Sequence, residues 1–288
     1  MFTEPEWAFG SIHYELTKNL FERGINATVL NWERSYQKQE IAELAANIDF
    51  FHSSPYGVNV LIKKYAIKPE QCVATVHAKW DINHLVEYGP DMVIRLHGYT
   101  AVSDWLVEQS AHAGIARVPQ VTPVAINYDT FYHEPSKQLR IVGYAGAISG
   151  VNLQIKRLHL VEQAVRNAGL ELKIAHGQHN SYVTMAGFYP TVDALIVASS
   201  EEGAGLPALE ASAAGRLVIS TPVGLWKNGN NGHTVPIEEG RFLEETTVLL
   251  KHYKDNSGAY VDKCLSTLEY AKKYDWSQVV DKWAKAFQ

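Results

Sequence analysis

The stretch from Ala194 to Gly215 constrains this chain more than any other. The apolar run Ala194 to Ala198 passes into Ser199-Ser200-Glu201-Glu202-Gly203-Ala204-Gly205-Leu206-Pro207-Ala208-Leu209-Glu210 and continues as Ala211-Ser212-Ala213-Ala214-Gly215. A short buried-strand pattern that leads through two glycines into an alanine-rich segment reads as a strand turning directly into a helix. Gly203 and Gly205 let the backbone turn tightly and approach a ligand, and Pro207 suits the first helical turn, where its missing N–H costs nothing. Such βα steps build parallel sheets, and the free N–H groups of the helix then face the sheet's carboxyl edge.

The same alternation runs through the chain. Tyr14 to Arg23 has helical spacing and leads into a strand at Ala27 to Leu30; Asp49 to His52, Cys72 to His77, Met92 to Leu96 and Val121 to Ile126 read as further strands. Ser103 suits the N-cap of a helix from Asp104 to Ala113. After the polar, Pro-containing segment Tyr132 to Gln138, the second half repeats the pattern. Its elements are strand Leu139 to Ala145, helix Lys156 to Asn167, strand Leu170 to Ala175, strand Ala194 to Ala198, helix Pro207 to Ala214 and strand Leu217 to Ser220. A chain of 288 residues is long enough for two such α/β domains. The boundary falls at 133/134.

Charge and cysteine content narrow the function classes. Twenty-six Lys and Arg against 31 Asp and Glu give a formal charge of −5, so no global positive field gathers nucleic acid or an anionic membrane. Lys63, Lys64, Tyr65 and Lys68 form one basic cluster near an aromatic ring, which a solvated helix face explains most simply. Cys72 and Cys264 stand far apart and outside any C-x-x-C pair, which gives no support to disulfide scaffolds or thiolate zinc sites. Glu4 and Glu6 occupy the place of a basic leader region, and no apolar run approaches the ~18 residues that span a bilayer. A soluble cytoplasmic protein is expected.

Two carboxylates bracket the glycine turn, Glu202 before it and Glu210 one turn into the helix, and they cannot stack on one helical face. They should address different parts of one ligand. A helix start at the edge of an open α/β sheet receives anions, and carboxylates accept hydrogen bonds from neutral hydroxyls, so the pattern suits a ligand with hydroxyls flanking a phosphate. The glycines and acids taken alone fit a solvated βα turn equally well.

The chain resembles the retaining GT-B glycosyltransferases of family 4. Their E-x7-E motif, E-G-F-G-L-P-x-L-E-A-x-A-x-G, matches Glu202 to Gly215 almost position for position. Further matches follow in order: Thr100-Ala101-Val102-Ser103, Asn127-Tyr128-Asp129-Thr130-Phe131, Asn231-Gly232-His233-Thr234-Val235-Pro236 and Tyr274-Asp275-Trp276-Ser277. The resemblance implies two Rossmann-like domains facing across a cleft. Residues 1–133 would form the acceptor side and 134–274 the donor side, with the helix 275–288 packing back on the first domain. It implies that Glu210 holds the donor ribose and that Glu202 touches hydroxyls of the transferred sugar. Gly203, Ala204, Gly205 and Leu206 would approach sugar and pyrophosphate. His77, ending Val73-Ala74-Thr75-Val76-His77, would reach the sugar from the first domain, with His52 a weaker candidate at a similar strand end. Lys156-Arg157-Leu158-His159-Leu160 is similar to the family's K-G-x-x-L, which makes Lys156 the expected phosphate cation.

The chain also departs from that pattern. The family's arginine before this lysine has become Ala147, so either Arg157 replaces it or the backbone holds more of the diphosphate. Only Met1 to Thr3 precedes Trp7-Ala8-Phe9-Gly10-Ser11, where the family places a glycine loop; either the sheet lacks a full edge strand or the chain is shortened, and Gly10 and Ser11 are weaker candidates. No D-x-D triplet occurs, and neither a metal nor a cofactor is expected beyond the nucleoside-diphosphate sugar itself. The acceptor is open between glycan, small molecule and modified DNA base. Two other readings stand beside the transferase: a module that binds nucleotide sugars without turnover, and a sugar-nucleotide epimerase of the same architecture.

Overall fold

The computed structural model describes residues 2–3, 8–31, 34–146, 150–175, 182–227 and 231–288. Its strands are β1 (Phe2–Thr3), β2 (Leu30–Asn31), β3 (Phe51–Ser53), β4 (Cys72–Val76), β5 (Gly98–Ala101), β6 (Gln120–Val121), β7 (Ile141–Ala145), β8 (Glu171–Ala175), β9 (Ala194–Val197), β10 (Leu217–Ser220) and β11 (His233–Thr234). All strand pairs among the described residues are parallel, in sheets ordered β1-β2, β3-β4-β5-β6 and β11-β10-β9-β7-β8. This is the α/β class with parallel sheets that the alternating pattern implies. The chain divides into two compact units, Met1–Val124 with Trp276–Gln288, and Ala125–Asp275.

In the first unit β4 is buried along its whole length, as a strand covered by helices on both faces must be. The C-terminal helix Trp276–Lys285 belongs to this unit. Its Trp283 is buried and donates Nε1–H to Pro123 O at 2.9 Å, and Asp281 pairs with Arg23 at 2.9 Å. In the second unit the buried Leu160, Val161, Ala164, Val165 and Ala168 line one face of helix Leu158–Ala168 and pack with helix Glu239–Asp255 on one side of the sheet. Helix Leu206–Ala213 covers the other side together with the end of helix Ser257–Lys272, whose Tyr260 and Cys264 reach the first side. The segment 125–133, assigned to the first domain by composition, packs into the second unit. Ile126 N donates to Tyr274 O at 2.9 Å, Tyr128 N to Asp275 Oδ2 at 3.0 Å, and Phe131 is fully buried.

Several boundaries differ from the sequence pattern for identifiable reasons. Met92 to Leu96 is not a strand: Pro90 opens a 3₁₀ helix through Arg95, and the strand is Gly98–Ala101. Proline lacks the N–H that a central strand would contribute, and its fixed φ starts a helical turn instead. Lys156 to Asn167 is not one helix. It divides into Val151–Lys156 and Leu158–Ala168 at Arg157, whose φ of 49° and ψ of 47° are left-handed. Gly10 and Ser11 do not form a loop before the first helix but lie inside it, since that helix begins at Ala8; Trp7 lies outside the described residues. The strand at Ala27 to Leu30 is reduced to Leu30–Asn31, and Val121 to Ile126 ends at Val121 because Pro123 interrupts the ladder.

Candidate functional site

In the second unit the strand order reverses at β7: the chain steps out to β8, returns to β9 on the other side of β7, and continues to β10 and β11. At such a reversal the connections leave toward opposite faces and open a crevice at the carboxyl edge, the usual ligand site of open α/β sheets. Two segments meet there. Ser200 N, after β9, donates to Ile155 O at 2.9 Å, tying the glycine turn to the end of helix Val151–Lys156. That tie brings Lys156 Nζ into a hydrogen-bonded ion pair with Glu202 Oε1. The same oxygen accepts from Ser199 Oγ at 2.7 Å, and the Glu202 side chain is only 12% exposed. Burial, with the Glu202 charge adding, pushes the Tyr144 phenol on β7 up to about 12.

Helix Leu206–Ala213 starts at Gly205, with φ 84° and ψ 48°, no side-chain cap and no acidic residue in its first turn, so the positive end of its dipole faces this edge. The turn is braced from behind. Leu225 N donates to Ala204 O at 3.0 Å, and Gly224, at φ 58°, approaches so closely that a Cβ there would stand 2.7 Å from Ala204 O. The buried Trp226 ring lies against Gly205.

Glu210 occupies a different environment from Glu202. It is buried, and Tyr189 donates its hydroxyl to Oε2 at 2.5 Å. Burial pushes the carboxyl up to about 7, with the Tyr189 hydrogen bond pulling the other way. The structure therefore brings Glu202, Lys156, Gly203, Ala204, Gly205 and Leu206 to one edge and sets Glu210 behind them on the helix that begins there.

Arg157 is turned away from this edge. Its left-handed backbone sends the guanidinium into the core, where Nε donates to Ala198 O and Nη1 to Ile237 O, each at 2.6 Å, over the Phe242 ring. Burial lowers its pKa from the usual arginine range. Ala147, the position of the missing family arginine, lies outside the described residues. Sequence reasoning did not single out Ser199 or Tyr189. The first stands in the quoted motif three residues before Glu202, whereas nothing in sequence spacing joins Tyr189 to Glu210.

In the first unit the carboxyl edge carries histidines. His52 on β3, His77 after β4 and His13 on helix Ala8–Phe21 pack together, with ring centroids 5.0 Å apart for His13–His52 and 5.7 Å for His13–His77. His52 Nε2 bonds Thr75 Oγ1 at 2.7 Å, and Thr75 bonds Thr100 at 2.7 Å, a line across three adjacent strands. Burial holds His52 and His77 well below the ordinary imidazole range, reinforced by the neighbouring histidines. Asp81, one turn into the next helix, accepts the backbone N–H of His77 at 2.8 Å and of Ala78 at 3.0 Å, and its burial pushes the carboxyl up to about 7. His13 and Asp81 escaped sequence reasoning, although an acid at the third position of a helix is a familiar capping signal. Gly10 is buried and Ser11 half-buried in the first turns of the helix that carries His13.

Among the described residues no group of three His, Cys, Asp or Glu side chains is arranged to hold a metal ion, and no helix is long and apolar enough to cross a membrane.

Solved structures share this fold across nearly the whole chain. Sucrose-phosphate synthase from Thermosynechococcus elongatus superposes with a TM-score of 0.71 at 13% identity, covering 99% of this chain and 94% of that one. Anabaena HepE in complex with UDP and glucose gives 0.69 at 13% identity, covering 99% and 97%. The catalytic domain of starch synthase IV from Arabidopsis thaliana, bound to ADP and acarbose, gives 0.65 at 12% identity, covering 87% and 75%. At these identities the likeness shows the fold, which is GT-B. No curated protein matches the chain. Residues 134–252, from the start of the second α/β half through most of helix Glu239–Asp255, match the family model described as glycosyl transferases group 1.

Proposed function

We propose that the chain is a retaining, metal-independent glycosyltransferase that moves a sugar from a nucleoside-diphosphate sugar to an acceptor hydroxyl. The observation that carries this reading is the edge of the second unit, where an uncapped helix start, a lysine and a hydroxyl-seeking carboxylate converge at the sheet's topological switch point. The family model over residues 134–252 supports it, as do the neighbours of like fold whose structures hold UDP with glucose, or ADP.

In this reading the N–H groups around Gly205 and the helix dipole receive the diphosphate, and Lys156 adds the positive charge. Lys156 is paired with Glu202 before donor arrives, so the ammonium is held in place and its charge is shared once phosphate oxygens enter. Glu202 then accepts from sugar hydroxyls. Glu210 takes the ribose hydroxyls through the oxygen that Tyr189 leaves available. The bond from the anomeric carbon to the phosphate oxygen breaks as the acceptor oxygen attacks the same face, and the acceptor proton passes to the leaving phosphate. Arg157 takes no part in donor contact; it fixes Ala198 at the root of the turn.

A thermal-shift series with uridine, guanosine and adenosine diphosphate sugars tests donor binding, since native-state ligands raise the melting temperature. Glu210→Gln should weaken donor binding about tenfold. Glu202→Gln should lower transfer on the order of a hundredfold, the usual loss when one preorganised polar contact to the reacting group is removed. Transfer that survives both substitutions unchanged would overturn the assignment, and donor binding without transfer by the unaltered protein would favour a binding module.

A further inference from the structure

Beyond the site just described, the first unit carries an aromatic strip that begins at its carboxyl edge. On helix Lys79–Tyr88, Trp80, His84 and Tyr88 recur every four residues and so share one face. Trp80 and His84 meet edge to face with centroids 4.7 Å apart, and His84 stacks on Tyr88 at 5.3 Å with 12° between planes. Tyr56, in the first turn of the neighbouring helix Pro55–Tyr65, packs at 5.6 Å from His84, and Lys63 of that helix lies 4.9 Å over the Tyr88 ring. Trp80 is 50% exposed and Tyr56 40%. From Trp80 to Tyr88 the strip runs about 12 Å at the helical rise per residue.

We infer that this strip is a stacking platform for a pyranose ring of a neutral carbohydrate acceptor. The inference rests on the transferase reading and names its acceptor class. Three features select this occupant. Large rings half open to water are normally buried or partnered, and here mutual packing holds their planes fixed, which lowers the cost of ordering them around a ligand. A pyranose presents an apolar C–H face that suits a half-exposed ring such as Trp80, and keeps its hydroxyls at the rim in water. The charges beside the strip are mixed, with Lys63 over the Tyr88 ring and Glu87 3.5 Å from His84 Nδ1, and the chain is net negative at −5, which suits a neutral ligand better than a nucleic-acid strand. The strip is continuous with the histidine-bearing edge of the same unit. Trp80 stands three residues past His77 and Tyr56 four past His52, at the starts of the helices that follow adjacent strands β4 and β3.

The test is titration of the full chain with neutral gluco-, manno- and xylo-oligosaccharides and, separately, with a single-stranded DNA oligonucleotide, followed by ligand-observed NMR. At least one oligosaccharide should bind the unaltered protein. Trp80→Ala should weaken that binding about tenfold, the upper range of one aromatic contact, and Trp80→Phe should restore most of it. The melting temperature and the donor-induced thermal shift should not move, because the Trp80 side chain is half in solvent. Absence of oligosaccharide binding, equal binding by Trp80→Ala, or Trp80-dependent binding of the oligonucleotide instead would overturn the inference. Trp80-dependent saccharide binding without any donor-induced shift would support the platform while removing the transferase reading.

Discussion

The carboxyl edges of the two units solve different electrostatic problems. In the second unit the edge carries an ion pair, Lys156 against Glu202, with Arg157 turned from it onto two carbonyls and Glu210 behind it under the Tyr189 hydroxyl. In the first unit the side chains are rings packed on rings, with His52 and His77 at strand ends, His13 on a helix against them, and Asp81 accepting from the backbone of His77. The difference teaches that a Rossmann-like sheet edge is a template with no fixed charge. What emerges from the strand ends decides whether it suits an anion or a ligand rich in uncharged hydroxyls. It also sets how each edge answers to pH. Glu210, raised to about 7, binds more protons folded than unfolded between roughly pH 4.5 and 7, so acidification through that window favours the folded second unit. His52 and His77, held well below 6.5, bind fewer protons folded than unfolded, so acidification below about 6.5 acts against the first unit. Asp81, raised to about 7, offsets part of that loss.

The strongest way to break the comparison is at the root of the charged edge. Arg157→Met leaves the buried carbonyl of Ala198 without its donor, at about 1–3 kcal/mol, and the half-buried carbonyl of Ile237 at less, and should cost about 3 kcal/mol in denaturant unfolding. Donor binding, where it persists, should weaken only through the displaced turn. A loss below about 1 kcal/mol would mean that the guanidinium faces solvent and is free to serve as the missing phosphate cation. Next in size is Glu210→Gln, which removes a buried carboxyl while leaving an oxygen for Tyr189. At one pKa unit per 1.36 kcal/mol, the shift from 4.5 to about 7 predicts a gain of up to ~3 kcal/mol in stability at pH 8 and almost none at pH 4. Denaturant midpoints at the two pH values check it, and a loss at pH 8 would show that the carboxylate is stabilised in the folded state.

The sequence pattern carried much of this arrangement and missed the rest for physical reasons. Strand β10 and the βα step from Ala194 through helix Leu206–Ala213 were legible because strand, glycine turn and helix start each leave a local signature in adjacent residues. The Ser103 N-cap was legible on the same ground, its Oγ accepting from Leu106 N at 3.4 Å. Spacing could suggest that Lys156 and Glu202 serve one ligand, but not that they pair with each other. Their meeting depends on where β7 and β9 lie in the sheet, and strand order is not written locally. The fate of Arg157 was invisible for a similar reason. Its single left-handed residue reverses the direction of the side chain relative to Lys156, and no neighbour in the sequence announces it. The histidine trio joins three segments far apart in the chain, of which only the two strand ends drew notice.

The smallest expected effect probes the neutral edge alone. Replacing His52 by glutamine keeps an amide that can bond Thr75 in a site that stays uncharged at every pH. Above pH 7 the imidazole is already neutral, so the variant should differ from the unaltered chain only by the packing lost against Trp283 and Phe287, which flank His52 at 5.7 and 5.5 Å. Below 6.5 the two should diverge. The unfolded imidazole takes up a proton that the folded one refuses, and this charges the original chain a growing penalty that glutamine escapes, bounded at ~2 kcal/mol between pH 6.5 and 5. Hydrogen exchange on β4 and β5, which lie beside His52 through Thr75 and Thr100, reads that divergence within the first unit, while β9 and β10 report the second unit for comparison. Parallel pH profiles for variant and parent on β4 would show that His52 is as readily protonated folded as unfolded. The contrast between a charged and a neutral edge would then rest on His77 without it.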